Sequence, residues 1–303
     1  MKSNGYQGFV CAAIAAVSFA FMSTIVKFTI NLGYSPYGLL LFQFLLVTVL
    51  LWCLAVPDIR KTDLSIVRKR EWVDLAIIGA FLSIMTMAYF FAVEIIPLSL
   101  AIVLFFLYPI LVSVLKLVID RKKPALYVVI SLVLTFTGVL LGTSITGETM
   151  KNASVLGIIL SIISAIAFAL FIYYYDRPVY TLPTYLSTAV VVSAALVFIA
   201  LCFPFFRINH AIDGQFLLLS LIVGVLAQLF PVLFLQLAIR RIGSVLTSII
   251  QNVELPLTII LAFLFFKEPI QPVQVAGIIL IITGIVYSNV KERTQPPVER
   301  KSV

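Results

Sequence analysis

Charge is what this 303-residue chain has least of: Asp, Glu, Lys and Arg together make up 11% of it, against about a quarter in soluble proteins. Histidine occurs once, as His210, and cysteine three times, as Cys11, Cys53 and Cys202. A single histidine leaves no His pair for a metal and no His-based triad at membrane depth. The cysteines match no zinc or redox spacing, and their odd number speaks against a disulfide framework. Neither metal nor cofactor is expected. No P-loop is present, so this chain by itself is no ATP-driven pump. Long hydrophilic stretches are missing too. The largest loop, 57–71, and the tail, 292–303, are too short and too charged to fold separately.

What fills the chain is apolar: 62% of all residues, in runs of about 20 that can each cross the hydrocarbon as a helix. Ten such runs are expected, at 6–29, 36–56, 72–93, 97–119, 125–143, 154–175, 184–206, 215–238, 243–267 and 271–290. Continuous runs of this length do not suit an outer-membrane barrel, whose strands are shorter and alternate. The expected class is an all-α integral membrane protein. The first run, behind Lys2, is longer than the apolar core of a signal peptide and has no obvious cleavage site, so it reads as an uncleaved span.

The runs form a unit written twice. Tyr108-Pro109 leads to Asp120-Arg121-Lys122-Lys123, and Glu254-Leu255-Pro256 leads to Lys267-Glu268. After each comes an apolar helix containing Thr-Gly, at Thr137-Gly138 and Thr283-Gly284. Gly8…Ser18-Phe19-Ala20-Phe21 loosely matches Gly157…Ala167-Phe168-Ala169-Leu170. The expected division is a first five-helix repeat at 1–147, a second at 148–291 and a tail at 292–303. Five crossings per unit put the second copy in the membrane upside down, an arrangement that gives carriers two-sided access to one central site. With the N-terminus inside, sixteen Lys and Arg fall in inner segments and three in outer loops. That bias predicts both termini in the cytoplasm of a multi-pass inner or plasma membrane protein. The net charge of +8 is then a topology signal. Scattered over short juxtamembrane loops, it builds no surface for nucleic acid.

These residues resemble the drug/metabolite transporter superfamily, EamA type, over nearly the whole chain. The likeness rests on the proline-centred fourth and ninth helices, on the Gly-bearing helices that follow, and on Ala262-Phe-Leu-Phe-Phe-Lys-Glu268, similar to the family's apolar run ending in glutamate. Two positions depart: Arg121 stands where the first half would carry that glutamate, and Glu254 lies two residues before its proline instead of next to it. The resemblance implies a ten-helix permease. Its central cavity would be lined mainly by helices one, three, four, six, eight and nine.

Inside the spans only Lys27, Lys116 and Glu254 are charged, and each needs a reason to be there. Lys116 lies about a turn from a basic loop, within snorkelling reach of the headgroups. Lys27 either snorkels or joins Ser23 and Asn31 on one polar face. With Arg177 at the matching place in the second half, it would favour anionic or carboxylate-bearing solutes. Glu254 is near mid-membrane, on a stripe with Thr247, Gln251 and Thr258. It either clamps its helix to a neighbour or binds solute and carries a proton between faces. Pro256 frees a carbonyl near Asn252, and Pro109 and Pro256 are candidate hinges. Gln228, Ser83, Thr86 and Tyr89 offer neutral hydrogen bonds. Tyr108 and the stripe Ser164, Phe168, Phe171, Tyr175 offer aromatic surface, which is either packing or pocket. The expected function is export of small organic metabolites, amino-acid-like or amphipathic, by alternating access with or without protons. An intramembrane transferase using Glu254 as base, and a structural membrane protein, are the alternatives.

Overall fold

The structure, a computed structural model, describes residues 2–63, 67–144, 153–176, 182–202, 212–267 and 269–294. Among these, the side chains of residues 2–4, Ser23, Lys27, Ile30, Asn31, Phe266, Arg293 and Thr294 lie outside the described set. The described residues form helices and no strand. They are α1 (Lys2–Asn31), α2 (Pro36–Lys61), α3 (Lys69–Ile95), α4a (Leu98–Phe105) with α4b (Tyr108–Val118), and α5 (Leu126–Gly142). The second half holds α6 (Val155–Tyr175), α7 (Thr184–Cys202), α8a (Gly214–Gly224) with α8b (Phe230–Ile242), α9a (Ser244–Gln251) with α9b (Glu254–Phe266), and α10 (Pro272–Thr294). Among the described residues nine rods are long and apolar enough to cross a membrane, and α5 is a shorter apolar helix of 17 residues. At about 1.5 Å per residue α5 spans roughly 25 Å, a little under a typical hydrocarbon core.

Local chemistry sets the ends and the breaks. Pro36 opens α2, where its missing N–H costs nothing, and Asp213 caps α8a by accepting from the Phe216 N–H at 2.7 Å. Pro109 and Pro256 lack the N–H that would bond four residues back, to Phe105 and Asn252, and the helix is interrupted just before each proline. The carbonyl expected to be free near Asn252 is only partly so, because it takes a long 3.3 Å bond from the Leu255 N–H. Pro231 is accommodated differently: a π-helical turn at Val225–Leu229 absorbs the lost bond, so α8a and α8b stay continuous. Several boundaries shift from expectation by three to five residues. Helix α2 continues past 56 through Pro57 to Lys61, shrinking the loop before α3, and α10 continues past 290 to Thr294.

Neighbours repeat when each rod is exchanged for the one five places on. Helix α1 packs on α8 and α9, and α6 packs on α3 and α4. Helix α2 packs on α8, and α7 on α3. The pairs α2–α7, α4–α9 and α5–α10 map onto themselves. The tightest crossings run through glycine. A Cβ on Gly277 of α10 would lie 2.5 Å from the Gly142 nitrogen and 2.6 Å from the Gly138 oxygen of α5. One on Gly79 of α3 would lie 2.4 Å from the Val191 oxygen of α7. In a bilayer such close packing replaces the hydrophobic drive that lipid removes.

The rods alternate in direction. Gly8 of α1 lies against Arg241 and Ile242 at the end of α8b, and Tyr127 of α5 bonds Glu292 of α10. The first described turn of α1 and the last of α10 therefore lie at one end, the one holding Asp120. Helix α6 starts at the other end, with Gly157 against Ile96.

Candidate functional site

The interruption in α4 turns two rings inward. Phe105 and Tyr108 lie 5.4 Å apart, centroid to centroid, and both meet Phe168 of α6, at 5.4 Å and 4.7 Å. Tyr89 of α3 stands 5.3 Å from Phe105, and Phe19 of α1 approaches Phe168 edge-on at 6.4 Å. Phe171 stacks below Phe168 at 5.7 Å and meets Tyr175 at 5.0 Å. The expected Tyr89, Tyr108 and Phe168 are thus one cluster. Phe105 and Phe19 complete it and were not anticipated, although Phe105 sits four residues before Pro109, where a break exposes it.

The interruption in α9 faces this cluster. The Tyr108 hydroxyl donates to the Ser248 carbonyl of α9a at 3.5 Å, joining the two broken rods. At the start of α9b stands Glu254, close enough that its charge acts on the hydroxyls of both Tyr89 and Tyr108. It is surrounded by protein yet keeps accessible surface, as does Tyr89. Accessible surface this deep in a bundle means that these side chains line a cavity. Among the described residues no base pairs with the Glu254 carboxyl, and no side chain or backbone group donates to it.

The rest of the stripe is satisfied locally. Thr247 and Thr258 donate to carbonyls of their own helix, Gly243 at 2.7 Å and Glu254 at 2.9 Å. Ser83 and Thr86 do the same on α3, each at 2.8 Å. Gln251 reaches across: its Nε2 donates to the Ala12 carbonyl of α1 at 3.0 Å, which fixes the amide and leaves Oε1 buried without a partner. Ser164 likewise ties α6 to α3 by donating to the Met85 carbonyl at 2.8 Å. Gln228 occupies a different wall, in the π turn against α1 and α2, with its Oε1 also unpartnered. The side chains of Lys27, Ser23 and Asn31, and Arg177 altogether, lie outside the described residues.

Lys116 does not snorkel. Its Nζ pairs with Asp176 at the end of α6 at 2.5 Å and with Asp120 at 3.1 Å, over the Tyr173 ring at 5.5 Å. Tyr173 donates to Asp120 at 2.7 Å, and the Ser244 hydroxyl of α9a donates to Asp176 at 2.7 Å. Partial burial alone would raise the Asp120 pKa, but the Tyr173 hydroxyl and Lys116, with Lys122 beyond them, hold it below the usual carboxylate range. The cytoplasm-facing position expected from sequence did not reveal this, because the partner Asp176 is 60 positions away along the chain. Among the described residues no three His, Cys, Asp or Glu side chains come together as a metal site.

The profile of the EamA-like transporter family matches this chain twice, at residues 7–144 and 155–290. An uncharacterized transporter, sll1319 of Synechocystis, is 26% identical over 220 residues, which are 71% of this chain and 65% of that protein. The aligned part thus falls just short of two thirds of that relative. A crystal structure of a protein 17% identical superposes with a TM-score of 0.75, over 96% of this chain and 99% of the other. At that identity the likeness is one of fold.

Proposed function

The chain belongs to the EamA-like transporter family, and from that premise we propose that it exports small organic solutes through a central site at Glu254. It is a transporter with many apolar helices, so it works in a membrane. We read the whole as ten crossings in two inverted repeats, 1–147 and 148–291, followed by the tail 292–303. What supports this reading is the double profile match together with neighbours that repeat on exchange of the halves. The basic residues of the described loops, Arg121 to Lys123 among them, cluster at the end holding Asp120. By the positive-inside rule we place that end, and both termini, in the cytoplasm of the inner or plasma membrane.

The observation that carries the site is the Glu254 carboxyl, unpaired among the described residues and held at mid-span between two broken rods. An ionisable group there is costly unless function uses it. Its two partners in the cycle would be solute and proton. Rocking of one half against the other, with bending at Pro109 and Pro256, would expose it to each face in turn. The test compares the medium of cells expressing wild type or Glu254→Gln at matched membrane levels. A solute enriched by wild type alone is the expected result. Enrichment by both keeps the carrier and removes Glu254 from the mechanism; enrichment by neither overturns the export reading.

A further inference from the structure

We propose that the solute is recognised through a positively charged amine, an organic ammonium with an apolar or aromatic body. This rests on the carrier reading above and names its substrate class. Three observations point the same way. First, the Glu254 carboxyl has no base beside it among the described residues, so its negative charge awaits either a proton or a cation. Second, Tyr89, Phe105, Tyr108 and Phe168 form an aromatic wall next to it, with centroid separations from 4.7 to 5.4 Å. Ring faces carry negative charge density and attract ammonium groups, while they repel carboxylates.

Third, Gln251 is 1% exposed and its Oε1 is unpartnered, one helical turn before Glu254. One of its two amide N–H groups donates to the Ala12 carbonyl, and Oε1 remains an unfilled acceptor. A site of acceptors and ring faces is built for donors. Lys116, the base of α4b, is two turns beyond Tyr108 and already shared by two aspartates.

The inference is tested by binding calorimetry on the purified full chain in lipid nanodiscs. Three probes of matched size are titrated: phenethylammonium, 3-phenylpropionate and 3-phenylpropan-1-ol. The ammonium should bind at least about tenfold more tightly than the carboxylate, with the alcohol between. Glu254→Gln should abolish the preference, and Tyr89→Leu should weaken the ammonium by roughly three- to tenfold while sparing the carboxylate. Equal or tighter binding of 3-phenylpropionate by the wild type overturns the inference, as does a preference that survives Glu254→Gln or no binding of any probe. The wild-type comparison stands even where a variant fails to fold. The carrier reading fails separately. An exported solute without an amine sinks the ammonium inference alone, whereas ammonium binding with no solute moved across a membrane sinks the carrier.

Discussion

Single side chains in this protein divide into those that hold helices together and those that face the cavity. Gln251 ties α9a to α1 and keeps an unfilled buried acceptor close to Glu254 in the chain, and replacing it separates the roles. Gln251→Leu removes the bond to the Ala12 carbonyl. Interhelical bonds of this kind contribute about 0.6 kcal/mol in membrane proteins, so a small fall in thermal stability in nanodiscs is expected. Transport should fall much further, because a buried acceptor next to Glu254 disappears with it; equal losses would make Gln251 a clasp only. Glu254 was legible from sequence, since a carboxylate in the middle of an apolar run announces itself. So were Tyr108 and Phe168, from a proline neighbour and from helical spacing. Phe19 was not: it becomes part of the site only because α1 crosses α6 at that height. Lys116 was misread for the same reason, its main partner being on another rod.

At the scale of elements, proline and glycine carry most of the information. Pro109, Pro231 and Pro256 each mark an irregular rod, but sequence does not tell a break from a π turn. That choice depends on whether neighbours can take up the extra residue. Glycine is the converse case. Gly79, Gly138, Gly224, Gly277 and Gly284 all lie where a Cβ would run into another rod, but Gly277 and Gly142 differ in kind. A Cβ on Gly277 meets backbone atoms of α5, which cannot turn aside, whereas one on Gly142 meets the tip of Leu255 at 3.2 Å. Gly277→Ala should therefore lower stability by roughly 2 kcal/mol or more, and Gly142→Ala by less than about 1 kcal/mol. Thermal unfolding of the two purified variants checks this, and similar losses would contradict the packing described for α5 and α10.

For the molecule as a whole, the two ends of the cavity are built differently. At the end holding Asp120, the network of Lys116, Asp120, Asp176, Tyr173 and Ser244 joins α4b, α6 and α9a. Related halves would place Lys267 near the counterpart of Asp120, and Lys267 is exposed, so among the described residues no identical clasp recurs there. A carrier that closes one end with ions has to break them to open it, and Lys116→Gln should shift the population toward that opening. A Ser248→Cys reporter, made after Cys11, Cys53 and Cys202 are replaced, is buried while the end is closed. With Lys116→Gln added, a membrane-impermeant thiol reagent on that side should label it several times faster, and an unchanged rate would show that the network is not a closure. The pH dependence has a definite sign. Because Asp120 is held below the usual carboxylate value, its contribution is complete above the ordinary value of about 3.9 and is lost only as pH falls through the lowered one. Labelling of the otherwise unaltered reporter, corrected for reagent chemistry, should thus stay flat from about pH 8 down to about pH 5. A rise within that window would mean that a group other than Asp120 holds the end shut.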